Sequence, residues 1–226
     1  MASLMKPPIT WPRGVTSAVC ITFDLDAETA WISRDPANIK RLSVMSQGAY
    51  GPKVGVPLIL DFLDRNQMKS TFFVPGWTAE RWPDVVAEIH RRGHEIGHHG
   101  YLHEALEGKS REEEEAILTG SSTILANITG LRPVGYRAPL YEITYATTGL
   151  LAKHGFLYAS NSQDSLWPYR HADAPSWSSC PRRGFSTTAR SSRSACARIS
   201  TVRSFRRRRC SPCGVRSFSA FTGSAG

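Results

Sequence analysis

Residues 1–170 contain a single cysteine, Cys20, and the chain has no apolar run approaching the ~18–20 residues that a membrane-spanning helix needs. A secreted scaffold stapled by disulfides would spread its cysteines through the fold, so that class is excluded for this part of the chain. Cys20, inside an apolar run, is expected to be a buried free thiol. Met1 to Arg13 is too rich in proline, and its apolar run too short, for a signal peptide, so the expected location is cytoplasmic. Lysine is missing from residue 171 onward, and so is acid apart from Asp173. That tail holds 11 Arg against one acid, a net +10, whereas residues 1–170 hold 17 Lys+Arg against 18 Asp+Glu, a net −1. The formal charge of +9 therefore belongs to the tail, and the body carries no basic signature of nucleic-acid binding.

What is present is an alternation of short apolar runs with amphipathic stretches. Ala18 to Phe23 is an apolar, β-branched run that ends at an acidic cluster, as a buried parallel strand would. Residues 27–52, with Pro36, Gly48, Gly51 and Pro52, are expected to form a long loop. Val54 to Asn66 shows helical spacing, Ser70 to Val74 a strand, Thr78 to Arg92 an amphipathic helix closed by Gly93, and His94 to Gly97 a third strand. Ser110, with Glu113 three residues on, predicts a capping box, and Glu112 to Glu115 suit the helix dipole. Val134 to Arg137 is expected as a strand, Thr144 to His154 as a helix and Phe156 to Ala159 as a strand. About five alternations point to a parallel α/β architecture, with ligands bound where the strands end.

Three segments fall at those strand ends. In Phe23-Asp24-Leu25-Asp26-Ala27-Glu28 the two aspartates share a face if the strand continues, and paired carboxylates repel unless a cation or an arginine is near. An isolated D-x-D is more often a solvated turn. In Gly93 to Glu104, four of the chain's seven histidines fall within ten residues. His99 and His103, at i and i+4, would share a face if the segment turned helical, a common presentation to zinc, and surface histidines are the bland alternative. His98 should point elsewhere, and His94 begins a strand. The third segment, Tyr136-Arg137-Ala138-Pro139-Leu140-Tyr141, is weak evidence alone, since an exposed arginine is the usual case.

Taken together and in this order, the segments resemble the polysaccharide deacetylase family, carbohydrate esterase family 4, over about residues 15–171. Thr22-Phe23-Asp24-Leu25-Asp26, Gly93 to His103 and Arg137-Ala138-Pro139 match its three motifs. Gly100 departs from the usual Ser or Thr, and His98 from the usual Asn. The split Asp24-x-Asp26 looks like the branch with peptidoglycan deacetylase-like proteins and cofactor-independent allantoinases. The resemblance implies a distorted, incomplete (β/α) barrel. It also implies Asp26, His99 and His103 as ligands of a divalent cation, expected to be Zn²⁺, with Asp24 as general base and Arg137 orienting it. A backbone N–H near Leu140 would hold the oxyanion, and Tyr141 and Trp77 would contact substrate, with Trp31 and Tyr50 as further candidates for the pocket wall. The implied reaction is hydrolysis of a non-peptide C–N bond, most directly N-deacetylation of an amino sugar, with a cyclic amide or imide of the allantoin type as the alternative. The implied partners are a glycan or small molecule and no membrane; a homo-oligomer is left open. The family's late histidine has no candidate here.

The catalytic domain is accordingly set at 1–173, with 174–226 a tail rich in Arg, Ser and Cys, without recognisable strand or helix, and disordered or non-native. A DNA- or RNA-binding tail and a metal site at Cys210 and Cys213 with Cys196 are two readings of it. A third is a frameshifted translation: read from the third base of each codon, Ser176 to Arg190 can encode an L-V-E-L-P…W-x-L-D-D run, and Cys213 to Ala225 a W-x-x-E-F run, both resembling this branch. The frameshift reading is preferred. The nucleotide sequence around codons 160–180 checks it, and restoring the frame is expected to raise deacetylase activity. Equal activity in both versions would count against it.

Overall fold

The computed structural model describes residues 19–162, 168–171, 174–179, 205–207 and 218–220. The strands β1 (Thr22–Asp24), β2 (Thr71–Val74), β3 (Glu95–His98), β4 (Gly135–Tyr136) and β5 (Tyr158–Ala159) pair in parallel, each with the next. β6 (Tyr169–His171) and β7 (Ala174–Ser179) complete a sheet of order β1-β2-β3-β4-β5-β7-β6, in which β7 runs parallel to β5 and β6 antiparallel to β7. β8 (Phe205–Arg207) and β9 (Phe218–Ala220) form a separate two-stranded sheet. β7, β8 and β9 lie in the segment whose sequence shows no recognisable strand. Backbone pairing of Tyr158 with Ser178 and Ala159 with Ser179 builds β7 where side-chain alternation gave no signal.

The sheet curls strongly, and one side chain proves it. Arg137 Nη2, just past β4, donates to Thr22 Oγ1 on β1 at 2.9 Å and to Ser160 Oγ past β5 at 2.8 Å. β1 and β5 are four strands apart, about 19 Å in a flat sheet. Contact with one nitrogen requires the sheet to wrap round. β1 and β6 end the strand order, so among the described residues the barrel is incomplete and unclosed. This is the parallel α/β architecture that the alternation implied, curled into the incomplete barrel that the family resemblance implied.

Seven α-helices are described: α1 (Thr29–Ile32), α2 (Leu42–Tyr50), α3 (Val56–Arg65), α4 (Gly76–Arg81), α5 (Pro83–Arg91), α6 (Arg111–Thr129) and α7 (Tyr145–Lys153). All four residues of β2 are buried, as suits a strand covered on both faces. Val56, Leu60 and Leu63 of α3 and Val86 and Ile89 of α5 pack on Phe72, Val74 and Ile96. A second cluster joins Leu118 of α6 to Tyr136, Leu150, Leu151 and Phe156. Cys20 is half-buried rather than fully buried.

Two expectations fail for identifiable reasons. Residues 27–55 hold α1, a 3₁₀ helix at Pro36–Lys40, α2 and a π turn at Gly51–Gly55, in place of a loop. Pro36 and Pro52 sit in first turns, where a missing N–H costs nothing, and the Asp35 side chain accepts from Ala37 N at 2.9 Å. Gly48 is no breaker either: a Cβ there would lie 2.5 Å from Glu28 Cα, so the glycine serves close packing. The single helix expected over Thr78–Arg92 is split, because Trp82 leaves the helical conformation, with φ −129° and ψ 52°, ahead of Pro83, which starts α5. Trp82 is held by its Nε1–H donating to the buried Glu28 Oε2 at 2.9 Å.

The capping box at Ser110 and Glu113 is present in both directions. Ser110→Ala should lower stability by about 1 kcal/mol without altering the fold, read by chemical denaturation.

Candidate metal and catalytic site

β1 ends at Asp24, and the chain turns at once through Ala27, whose φ is 52°. The Asp26 carbonyl accepts from Thr29 N at 3.1 Å, Thr29 Oγ1 at 2.6 Å and Thr78 Oγ1 at 2.8 Å. Both threonines are fully buried, so three donors fix the backbone that carries the Asp26 carboxylate. Neither threonine stood out in the sequence, because a hydroxyl aimed at a distant carbonyl leaves no local pattern.

β3 delivers the histidines. The pair is not helical: residues 99–103 form a loop in which Gly100 has φ 72° and His103 φ 57°. The expected helical presentation is replaced by a tight turn that still brings both rings together, 5.1 Å between centroids. His99 Nε2 lies 3.3 Å from Asp26 Oδ1, and His103 Nε2 3.5 Å from Asp26 Oδ2. Donor atoms from all three residues lie within 4.8 Å of one another. Asp26, His99 and His103 are thus brought together by geometry.

The tautomer of His99 is settled by its other nitrogen. Nδ1 is 2.7 Å from the Arg137 carbonyl oxygen, which can only accept, so Nδ1 carries the hydrogen. In the neutral ring the Nε2 lone pair then faces a carboxylate oxygen. Burial pushes the Asp26 carboxyl up, but attraction to His99, His103 and Arg137 brings it below its ordinary value. Burial lowers His103, against the raising effect of Asp26. Asp26 Oδ1 and His103 Nδ1 are buried without a hydrogen-bond partner among the described residues.

Beside this triad, Asp24 Oδ1 accepts from Arg137 Nη1, and Asp24 Oδ2 accepts from the Tyr141 hydroxyl at 2.8 Å. Arg137 is buried and lies over the Phe73 ring, 4.1 Å from its centroid. The surface arginine of the bland reading is ruled out. The Tyr141 hydroxyl is engaged with Asp24. Leu140 is 57% exposed. Leu140 and Tyr141 have φ of 57° and 64°. Trp77 joins the neighbourhood through its backbone N–H, which donates to Tyr101 O at 2.9 Å. Tyr50 is exposed and Trp31 half-buried, with Arg34 over its ring.

His98 and His94 are buried away from the triad, as their positions implied. His98 stacks near Tyr136 and Phe156, its Nδ1 accepts from Gly100 N at 3.2 Å, and burial lowers its pKa to about 3.

Residues 49–159 match the polysaccharide deacetylase domain. The chain is similar to a peptidoglycan deacetylase-like protein, FGM2, of Gibberella zeae, with 37% identity over 62% of this chain and 42% of that one. It is also similar to the peptidoglycan deacetylase of Helicobacter pylori, with 33% identity over 69% of this chain and 53% of that one. The chain thus spans about half the length of these curated relatives. The crystal structure of a Mycobacterium smegmatis protein assigned to the polysaccharide deacetylases superposes with a TM-score of 0.76 and 47% identity, covering 79% of this chain and 63% of that one.

The lowered His98 pKa sets a pH dependence. The unfolded ring takes up its proton near pH 6.5 and the folded one only near pH 3. Stability contributed by the neutral ring is therefore complete above about pH 6.5 and falls as pH drops toward 3, by up to about 1.4 kcal/mol per pH unit. His98→Asn should flatten that slope in denaturation midpoints measured across this window.

Proposed function

We propose, from the polysaccharide deacetylase domain matched at residues 49–159, that this chain is a metal-dependent hydrolase removing N-acetyl groups from the amino sugars of a glycan such as peptidoglycan. The observation that carries the reading is the arrangement around Asp26. A His99 Nε2 lone pair facing a carboxylate at 3.3 Å is repulsive as it stands. It becomes favourable when a cation lies between them. His103 Nε2 adds a second imidazole from the other side of the same carboxylate. Two imidazoles and one carboxylate are a donor set that suits zinc, with positions left for water and substrate. Asp26, His99 and His103 fit the cation the family implies and would hold it.

When bound, the cation supplies Lewis acidity, polarising an amide carbonyl and acidifying water. The chain's own groups do the rest. Asp24 is the general base: it accepts a proton from the attacking water as oxygen bonds to the acetyl carbon. Arg137 and Tyr141 each occupy one oxygen of Asp24, which orients the carboxylate and leaves its remaining lone pairs for that proton. The oxyanion is held by the backbone N–H of Leu140, in a left-handed turn that exposes its side chain to the approaching glycan. The C–N bond then breaks, and protonated Asp24 returns its proton to the leaving amine. The products are acetate and a free amino sugar.

Acetate release from N-acetylglucosamine oligomers and peptidoglycan tests this, with allantoin as a parallel substrate expected to be inert. Asp24→Asn should lower kcat by about 10²–10⁴-fold while retaining Zn²⁺ uptake, and Asp26→Ala should lose that uptake. Wild-type turnover of allantoin without acetate release would transfer the reading to cyclic amides. An Asp24→Asn protein with full activity would remove the base.

A further inference from the structure

The loop that carries His103 is held from two sides, and one holder has no place in the chemistry above. On its carbonyl side, Gly76 N donates to Gly100 O at 3.0 Å and Trp77 N to Tyr101 O at 2.9 Å, tying the loop to α4. On its N–H side, three successive backbone donors find acceptors. Gly100 N donates to His98 Nδ1, while Tyr101 N and Leu102 N both donate to the Glu104 carboxylate, one to each oxygen. A single half-buried carboxylate thus closes the turn that forces His103 to φ 57°.

Gly100 explains why the loop needs it. Family members usually carry Ser or Thr at this position, whereas here any Cβ would lie 2.8 Å from Pro139 Cγ, in a backbone conformation with φ 72°. The contact with Pro139 of the Arg137-Ala138-Pro139 segment therefore excludes a hydroxyl side chain at the centre of the turn. Bonding that the loop cannot draw from residue 100 comes from residue 104.

We propose that Glu104 is a positioning residue for the metal centre: its carboxylate clamps the Tyr101 and Leu102 amides and so holds His103 in its ligating conformation before a cation arrives. The ligand role of His103 comes from the reading above, but the clamp itself is separable from it. Removing the clamp leaves two N–H groups to water and loosens the turn that carries a left-handed non-glycine residue. Groups that orient metal ligands without touching the metal are typically worth about 10–100-fold in affinity.

The test uses the full chain with Zn²⁺ as the probe. Zinc affinity is measured by chelator competition for wild type, Glu104→Ala and Glu104→Gln, with His99→Ala as the control that removes a ligand. Backbone amide exchange of Tyr101 and Leu102 is followed in the metal-free proteins. The expected result is faster exchange at both amides in Glu104→Ala and zinc binding about 10–100-fold weaker. Glu104→Gln, which keeps one carbonyl acceptor, should fall between Glu104→Ala and wild type and guards against a misfolded alanine variant. Unchanged exchange in Glu104→Ala would overturn the clamp. Faster exchange with wild-type zinc affinity would overturn its role in positioning. A wild type that binds zinc no better than His99→Ala would sink the metal reading, while the exchange data would still decide whether Glu104 holds the loop.

Discussion

A permanently charged guanidinium is buried inside the curled sheet, and much else in the structure follows from the need to satisfy it. Arg137 is 6% exposed. An unpaired buried charge of this kind costs several kcal/mol, so the surroundings must supply both acceptors and a counter-charge. They come from three places: Asp24 and Thr22 on β1 and Ser160 beyond β5. One residue therefore sets the curvature of the sheet and the position of Asp24 together. Its backbone carbonyl does a third job by fixing the His99 tautomer. The two halves of the site, the Asp24 pair and the Asp26 triad, are coupled through this single residue.

The cost of the arrangement shows in the backbone. Among the described residues, five non-glycine positions have positive φ: Ala27, Gln67, His103, Leu140 and Tyr141. Four of these belong to the three segments that meet at Asp24 and Asp26. Each such residue costs about 1–3 kcal/mol and persists only where its surroundings over-determine it. Here they do: the Asp26 carbonyl takes three donors, Glu104 takes two amides, and Tyr141 is anchored on Asp24. Strain is concentrated where side chains from separate loops must converge, and the helices and strands are left regular.

That division explains what could be read in advance. β2, the amphipathic face of α3, the Ser110 capping box and the glycines after α5 and α7 each depend on residues within a few positions of one another, and each lies within a residue or two of its expected place. The three functional segments were visible because they combine motif wording with strand ends. What stayed hidden was long-range. Thr78 reaching Asp26 O, Ser160 reaching Arg137 and Tyr141 reaching Asp24 join residues 52, 23 and 117 positions apart. The i, i+4 spacing of His99 and His103 was right about proximity and wrong about its cause. A glycine and a left-handed histidine produce by a turn what a helix produces by its period.

The two ends of the sheet carry polar networks of the same design with different consequences. At the N-terminal end, Glu95 Oε2 accepts from Thr71 Oγ1 at 2.6 Å and from the Tyr158 hydroxyl at 2.8 Å, linking β2, β3 and β5. Each of these three groups has a partner that matches it in type. At the C-terminal end Arg137 links β4, β1 and β5 in the same way, yet leaves Asp26 Oδ1 and His103 Nδ1 without hydrogen-bond partners among the described residues. Buried polar atoms without partners are expensive, and a fold retains them where something else completes them. In barrels of this kind chemistry sits at the C-terminal edge of the strands and stability at the opposite face. In this chain the contrast lies in donors and acceptors: at one edge Glu95 is met by matching hydroxyls, and at the other Asp26 Oδ1 and His103 Nδ1 stand without hydrogen-bond partners among the described residues.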